Sequence, residues 1–244
     1  PILYYHQVHP SAPESVSPDF FEQQIYFLKK QGFNFISLRE FFDEHVRENF
    51  WGGKNIVITF DDGYEDNYLY AFPIIKKFGL KCTIFISTYF IENKCLFPWH
   101  NSKLGADKDF KMLSWEQIEE MSKYGIEFGS HTVSHPDLTI LNDSDIRKEL
   151  EESRVAIENH TNQSVDFLCY PFGRYNQRVI RVASELGYQG ACTEIYGRNN
   201  RDTPAYELQR LNVSSTIQSS FDLRKRLIGA YNIPMTIRQF IKSK

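Results

Sequence analysis

The sequence has no CxxC pair, no run of apolar residues long enough to span a bilayer, no surplus of positive charge and no histidine beyond His160. Each absence removes a class. Four widely spaced cysteines, Cys82, Cys95, Cys169 and Cys192, do not form a zinc cluster or a dense disulfide framework, and three of them sit in apolar strand-like runs, so buried free thiols are expected. Lys and Arg total 28 against 31 for Asp and Glu, a net charge of −3, so nothing marks a nucleic acid or an anionic membrane as a partner. No apolar stretch approaches the roughly 20 residues of a transmembrane helix. What the chain does have is aromatics, 14 Tyr and 20 Phe, which fit a carbohydrate-facing surface or an aromatic core equally well. Its 244 residues can bury a large core, and a single domain over 1–244 is expected. The first residue, Pro1, leads straight into "ILYYH". An extracytoplasmic or cell-surface setting fits if a leader precedes it, a cytoplasmic one if none does. No feature of the sequence speaks to oligomeric state.

Strand and helix patterns alternate along the chain. "ILYYH" (2–6) reads as a short buried strand, followed by a helix with Ser17 as N-cap, Pro18 at its first position and Gly32 as its stop. "NIVITFDD" (55–62) is a strand and "EDNYLYAFPIIKKFG" a helix, then "KCTIFIS" (81–87) a strand. Ser114 to Gln117 read as a capping box that opens another helix. "IEFGSH" (126–131), "DFLCYPFG" (166–173), "QGACTEI" (189–195) and "YELQRLNV" (206–213) complete the strands, with amphipathic helices between them. This α/β alternation predicts a closed or nearly closed (β/α) barrel of about seven strands, whose chemistry gathers at the C-terminal strand ends. The segment at about 88–113 has no clear period and reads as a long surface insertion. Phe97 and Trp99 within it suit a sugar-stacking platform, or the packing of a long loop.

Two short motifs carry chemistry. In "VITFDDGYED" the adjacent Asp61 and Asp62 follow a buried strand, where like charges this close must divide their work or find a cation. Successive strand residues face opposite ways, so both serve one site only if the chain bends, which Gly63 permits. His131 and His135 in "GSHTVSHPDL" fall on one face if the chain makes a helical turn there, and two imidazoles with one carboxylate form a common catalytic metal set. The residues between them hold no base, so the base comes from elsewhere. The economical division gives Asp62 to the metal and leaves Asp61 as general base. A strand-ending turn and two ordinary polar histidines remain the plain alternatives.

"TFDDGY" (59–64), "SHTVSH" (130–135) and "YPFGRYN" (170–176) resemble, in order and spacing, the motifs of NodB-type polysaccharide deacetylases of carbohydrate esterase family 4, and the likeness covers about residues 55 to 190. The resemblance implies a distorted (β/α) barrel of NodB-homology type and a divalent metal on Asp62, His131 and His135. Zinc is the default for such a ligand set, with cobalt, nickel or iron suited as well. It further implies Asp61 as catalytic base and a substrate-binding loop of Tyr170, Pro171, Phe172 and Gly173, in which the Phe172 amide helps to hold an oxyanion. The expected reaction is N-deacetylation of an N-acetylated glycan. Two departures stand out. The family arginine two positions before the Pro-aromatic-Gly is Cys169 here, with Arg210 or Arg174 as candidates to orient the base in its place. The family's late Leu-x-His segment is also missing, and His6 in the N-terminal "LYYH" takes its role as general acid, an arrangement similar to the poly-β-1,6-N-acetylglucosamine deacetylase branch. Rival readings keep the metal site but act on a small acetylamino sugar or a cyclic amide, or keep the fold as an inactive glycan-binding relative.

Overall fold

The computed structural model describes residues 1–12, 15–47, 54–99, 110–214, 217 and 219–228. Its strands are β1 (Ile2–Tyr5), β2 (Asn34–Phe35), β3 (Asn55–Phe60), β4 (Thr83–Ile86), β5 (Glu127–Ser130), β6 (Phe167–Cys169), β7 (Gly190–Tyr196) and β8 (Leu208–Asn212). Around them lie the helices α1 (Pro18–Lys30), α2 (Leu38–Phe41), α3 (Phe72–Phe78), α4 (Thr88–Glu92), α5 (Trp115–Tyr124), α6 (Asp143–Thr161), α7 (Gln177–Glu185) and α8 (Ser220–Ile228).

The strand ladders are parallel, and β3 to β8 follow one another in sheet order. The first strand closes the ring: β1 pairs with β8 through Leu3–Leu211 and with β3 from Ile2–Val57 to Tyr5–Phe60. The result is a closed seven-strand barrel, with the two-residue β2 attached only to the start of β3. Side-chain alternation splits the core in two. Ile2, Val57, Phe85, Phe167, Cys169, Cys192 and Leu208 belong to one buried cluster. Their strand neighbours Leu3, Ile58, Ile84, Leu168 and Ala191 pack with helix residues such as Phe21, Ile25 and Leu28 in the other. A parallel strand covered on both faces must be apolar at consecutive positions, which is why these segments read as runs. Each fully buried Val, Leu, Ile or Phe contributes roughly 1.5–3 kcal/mol. All four cysteines are free thiols, three of them buried.

Local signals act as the residues dictate. Ser17 caps α1 by accepting from the Phe20 N–H, and Ser114 and Gln117 form a reciprocal capping box at α5. Three expectations change. "EDNYLYAFPIIKKFG" is not one regular helix but a π-turn over Asn67–Ala71 that runs into α3, because Pro73 at the start of α3 has no N–H to donate. Of the expected surface insertion, 88–92 form α4 and Phe97 is fully buried, while 100–109 lie outside the described residues. The last strand-like run begins with a 3-10 turn at Ala205–Glu207 before β8. No helix among the described residues is long and apolar enough to cross a membrane.

Candidate active site

Asp61 follows directly on β3 and is 1% exposed. Its two oxygens each accept from Arg210 of β8, Nη1 to Oδ1 at 2.8 Å and Nη2 to Oδ2 at 2.7 Å. Arg210 is itself fully buried and fully engaged: Nε donates to Thr193 O at 2.9 Å, Nη1 to Thr59 Oγ1 at 3.1 Å, and the guanidinium lies 4.3 Å from the centre of the Tyr4 ring. Cys169 sits between the two groups, its Sγ accepting from Arg210 Nη2 at 3.1 Å and lying 3.6 Å from Asp61 Oδ2. Burial works to raise the Asp61 pKa, but the charge and hydrogen bonds of Arg210 outweigh it and hold the carboxyl below its usual range. Burial pushes the Cys169 thiol well above its ordinary value, so it stays neutral. Of the two candidate arginines, Arg174 is turned away, with Nη1 on Asp137 Oδ2 at 2.7 Å.

Asp62 is the residue at which the chain bends. Its φ of 77° precedes the φ of 84° at Gly63, so the turn begins one residue earlier than the glycine suggests. A Cβ on Gly63 would lie 2.9 Å from Ile86 Cγ2, a second reason that only glycine fits there. The bend brings Asp62 Oδ1 to 3.5 Å from His131 Nε2 and 3.6 Å from His135 Nε2, and the two imidazole nitrogens lie 3.1 Å apart. No helical turn unites the histidines. The chain from His131 to His135 is irregular, with positive φ at Thr132 (68°) and His135 (58°).

This triangle fits a divalent cation. Around a tetrahedral ion with bonds of about 2.0–2.1 Å, ligand atoms are separated by roughly 3.3–3.4 Å, close to the separations found. His131 Nδ1 lies 2.8 Å from the Cys169 carbonyl, which accepts its proton and turns the Nε2 lone pair inward. Burial works to lower the His131 pKa, but Asp62 and Asp61 shift it upward, whereas burial and the charge of His131 push His135 down to about 3. Asp62 is held well below its ordinary value, burial being outweighed by the His131 hydrogen bond and the charges of His6, His131 and His135. In a second grouping, Asp61, His131 and Cys169 also lie within 4.8 Å of one another, but both Asp61 oxygens belong to Arg210 and the thiol is neutral, so Asp62, His131 and His135 are the better donors.

The remaining expected residues divide. His6 leaves the end of β1 half-buried, close enough to Asp61 and Asp62 to couple to both electrostatically. Its carbonyl accepts from Asn67 Nδ2 at 3.1 Å, and Asp66 Oδ1 takes the Val8 N–H at 3.2 Å. Phe172, 46% exposed with φ 58°, projects beside His135 at 4.6 Å between ring centres. The turn around it closes through Gly173 N–H to Tyr170 O and Arg174 N–H to Pro171 O, so neither bond uses the Phe172 N–H. Pro171 is buried under that turn. Tyr170 is a correction: it is fully buried, stacked on Tyr175, with its hydroxyl donating to Tyr206 O at 3.1 Å, because alternation after the interior-facing Cys169 turns it into the helix-side core. Phe97 packs into the core, while Trp99 stacks on it at 4.4 Å and faces His135 at 5.1 Å. Glu149 was not singled out by the sequence: it accepts from Val133 N, Ser134 N and Ser134 Oγ at 2.9, 2.9 and 2.6 Å. A glutamate inside a polar helix face gives no signal of its own.

Comparison with known proteins identifies the family. A family model described as polysaccharide deacetylase matches residues 51–191. "Putative polysaccharide deacetylase YxkH" of Bacillus subtilis (strain 168) is 32% identical over 220 residues, 90% of this chain and 73% of that protein. The poly-beta-1,6-N-acetyl-D-glucosamine N-deacetylase of Staphylococcus aureus (strain MRSA252) is 29% identical over 182 residues, 71% of this chain, which spans only 59% of that relative. Among solved structures, the Streptococcus pyogenes deacetylase PplD in complex with acetate superposes with a TM-score of 0.80 at 29% identity, covering 93% of this chain and 96% of that one. With more than half of its length inside the family model, and a relative that shares about a third of its residues across nine tenths of it, the chain belongs to the polysaccharide deacetylase family.

Proposed function

We propose that the protein is a metal-dependent N-deacetylase that releases acetate from N-acetylglucosamine units of a poly- or oligosaccharide. The observation that carries this reading is the pairing of an ionised, Arg210-held Asp61 with the Asp62–His131–His135 triangle beside it. A divalent cation held by those three donors, zinc by preference for an N₂O set, would supply Lewis acidity and lower the pKa of nearby water.

The chain's own groups do the rest. Asp61 is left free of the donor set and accepts the proton of the attacking water. Arg210 keeps it charged and fixes its plane through a two-point contact. The Phe172 N–H, outside the bonds that close its turn, donates to the oxygen on which negative charge develops. His6, level with Asp61 where β1 pairs with β3, protonates the departing amine. Phe172 and Trp99 flank His135 and offer an aromatic edge on which a sugar ring can stack. A polymeric substrate would put the work outside the cytoplasm.

The test is acetate release from β-1,6- and β-1,4-linked N-acetylglucosamine oligomers and from peptidoglycan fragments, in the presence of zinc, cobalt or nickel. The wild type should act on at least one of them, and Asp61→Asn should abolish that activity. Silence on all three with small acetylamino sugars hydrolysed would move the assignment to those sugars.

A further inference from the structure

We infer that Glu149, on α6, is the positioning residue of the histidine pair, holding the His131–His135 loop in the shape that brings both imidazoles to Asp62. The inference rests on the metal reading above and adds a residue to it.

The loop from Ser130 to His135 is neither helix nor strand beyond Ser130, so each of its buried polar groups needs an individual partner. The His131 N–H donates to Ile86 O at 2.9 Å, the Thr132 N–H to Ser130 Oγ at 3.1 Å and the His135 N–H to Thr132 Oγ1 at 3.0 Å. The carbonyls of His131, Thr132 and Val133 accept from Ser87 Oγ, the Thr88 N–H and the Tyr89 N–H. Two successive N–H groups remain, those of Val133 and Ser134. Both donate to one oxygen, Glu149 Oε2, at 2.9 Å each, while the Ser134 hydroxyl donates to Oε1 at 2.6 Å. A single carboxylate thus gathers three donors from the two residues nearest the centre of the loop.

That carboxylate has strain to hold. Thr132 and His135 both lie in the left-handed region, a strained conformation for residues other than glycine that persists only where neighbours over-determine it. Glu149 fixes the two residues between them. One turn further along the same face of α6, Ser153 Oγ meets Ser130 Oγ at 2.9 Å, and Ser130 Oγ in turn takes the Thr132 N–H. The helix therefore grips the loop at both ends of its bend. Without the carboxylate, the adjacent N–H groups turn to water and the strained residues relax, and a cation must then spend part of its binding energy on reassembling the triangle.

The test is the zinc dissociation constant of the full chain, stripped by a chelator and titrated against a chromophoric competitor, with far-UV circular dichroism as the check on folding. Glu149→Ala should bind zinc about 10- to 100-fold more weakly than wild type. Glu149→Gln should recover most of that loss, because its amide oxygen still accepts both N–H groups and its amide nitrogen can donate to Ser134 Oγ. Glu152→Ala, an exposed acid on the same helix, removes the same charge and should match wild type. If Glu149→Ala does not fold, Glu149→Asp, which retracts the oxygens from the same donors, is read in its place. Wild-type binding with a folded Glu149 variant within threefold of it overturns the inference alone. Wild-type protein that binds neither zinc, cobalt nor nickel overturns the metal reading, and this inference with it.

Discussion

A carboxylate with 1% exposure keeps its charge only if an opposite charge is buried with it, and Asp61 meets that condition through Arg210, 149 residues away in sequence. The different surroundings of the two acids of "DDG", one on Arg210 and one beside the histidines, could be anticipated, but the choice between Arg210 and Arg174 could not. Strand closure decides it, and no local pattern reports strand closure. Arg210→Met should destabilise the protein by about 3–5 kcal/mol at neutral pH, because it strands a buried charge. Adding Asp61→Asn should return much of that loss, and urea unfolding of both single variants and the double variant measures the coupling. Asp66 is a contrasting case. Burial raises its pKa to about 8, only partly offset by hydrogen bonds from the Val8 N–H and Asn67. A raised folded-state pKa favours the protonated fold, so this contribution is complete below the ordinary value of 3.8 and is lost as pH rises toward 8. Asp66→Asn should therefore gain on wild type by about 1.4 kcal/mol per pH unit across that window. Melting curves at pH 5 and pH 8 check the sign.

At the scale of elements, turns do the work that the strands prepare. The chain runs into the mouth of the barrel on β3, β5 and β6 and then takes a positive φ at Asp62, Thr132 and Phe172. Apolar runs and the exits of the strands could be read from the sequence. The left-handed residues could not, since threonine and phenylalanine carry no signal for that conformation and aspartate only a weak one. The same gap hid the burial of Tyr170, the loop geometry of the histidines and the grip of Glu149. It also hid the register shift between β7 and β8, where Cys192 faces Leu208 but Tyr196 faces Arg210. Gly63 is where the turn chemistry is most exposed to test. Gly63→Ala combines a φ of 84° with a Cβ 2.9 Å from Ile86 Cγ2. A loss of about 1–3 kcal/mol in unfolding free energy is expected, together with weaker metal binding through the displaced Asp62. Thermal unfolding and a metal titration on one preparation read both.

At the scale of the molecule, closure by the first strand is what brings an N-terminal histidine to the rim of a site built from the middle of the chain. β1 lies between β3 and β8, so His6 emerges at the same rim as Asp61, and Asn67 and Asp66 pin the backbone on either side of its exit. A seven-strand barrel follows from alternation of strand and helix, while its closing pair depends on contacts at the two ends of the sequence. Removing residues 1–6 should expose the edges of β3 and β8 and give aggregated protein on gel filtration. His6→Phe should instead elute and melt as wild type does while losing most of its turnover. The central claim is hydrolysis of an acetylated amino sugar at the Asp62–His131–His135 centre with Asp61 as base. Its most direct measurement is acetate released from N-acetylglucosamine oligomers by chelator-treated protein, before and after one equivalent of zinc, cobalt or nickel is added. The account predicts that release stops on chelation and returns with the metal. Release that continues undiminished in the stripped protein, with no metal found by elemental analysis, would contradict it.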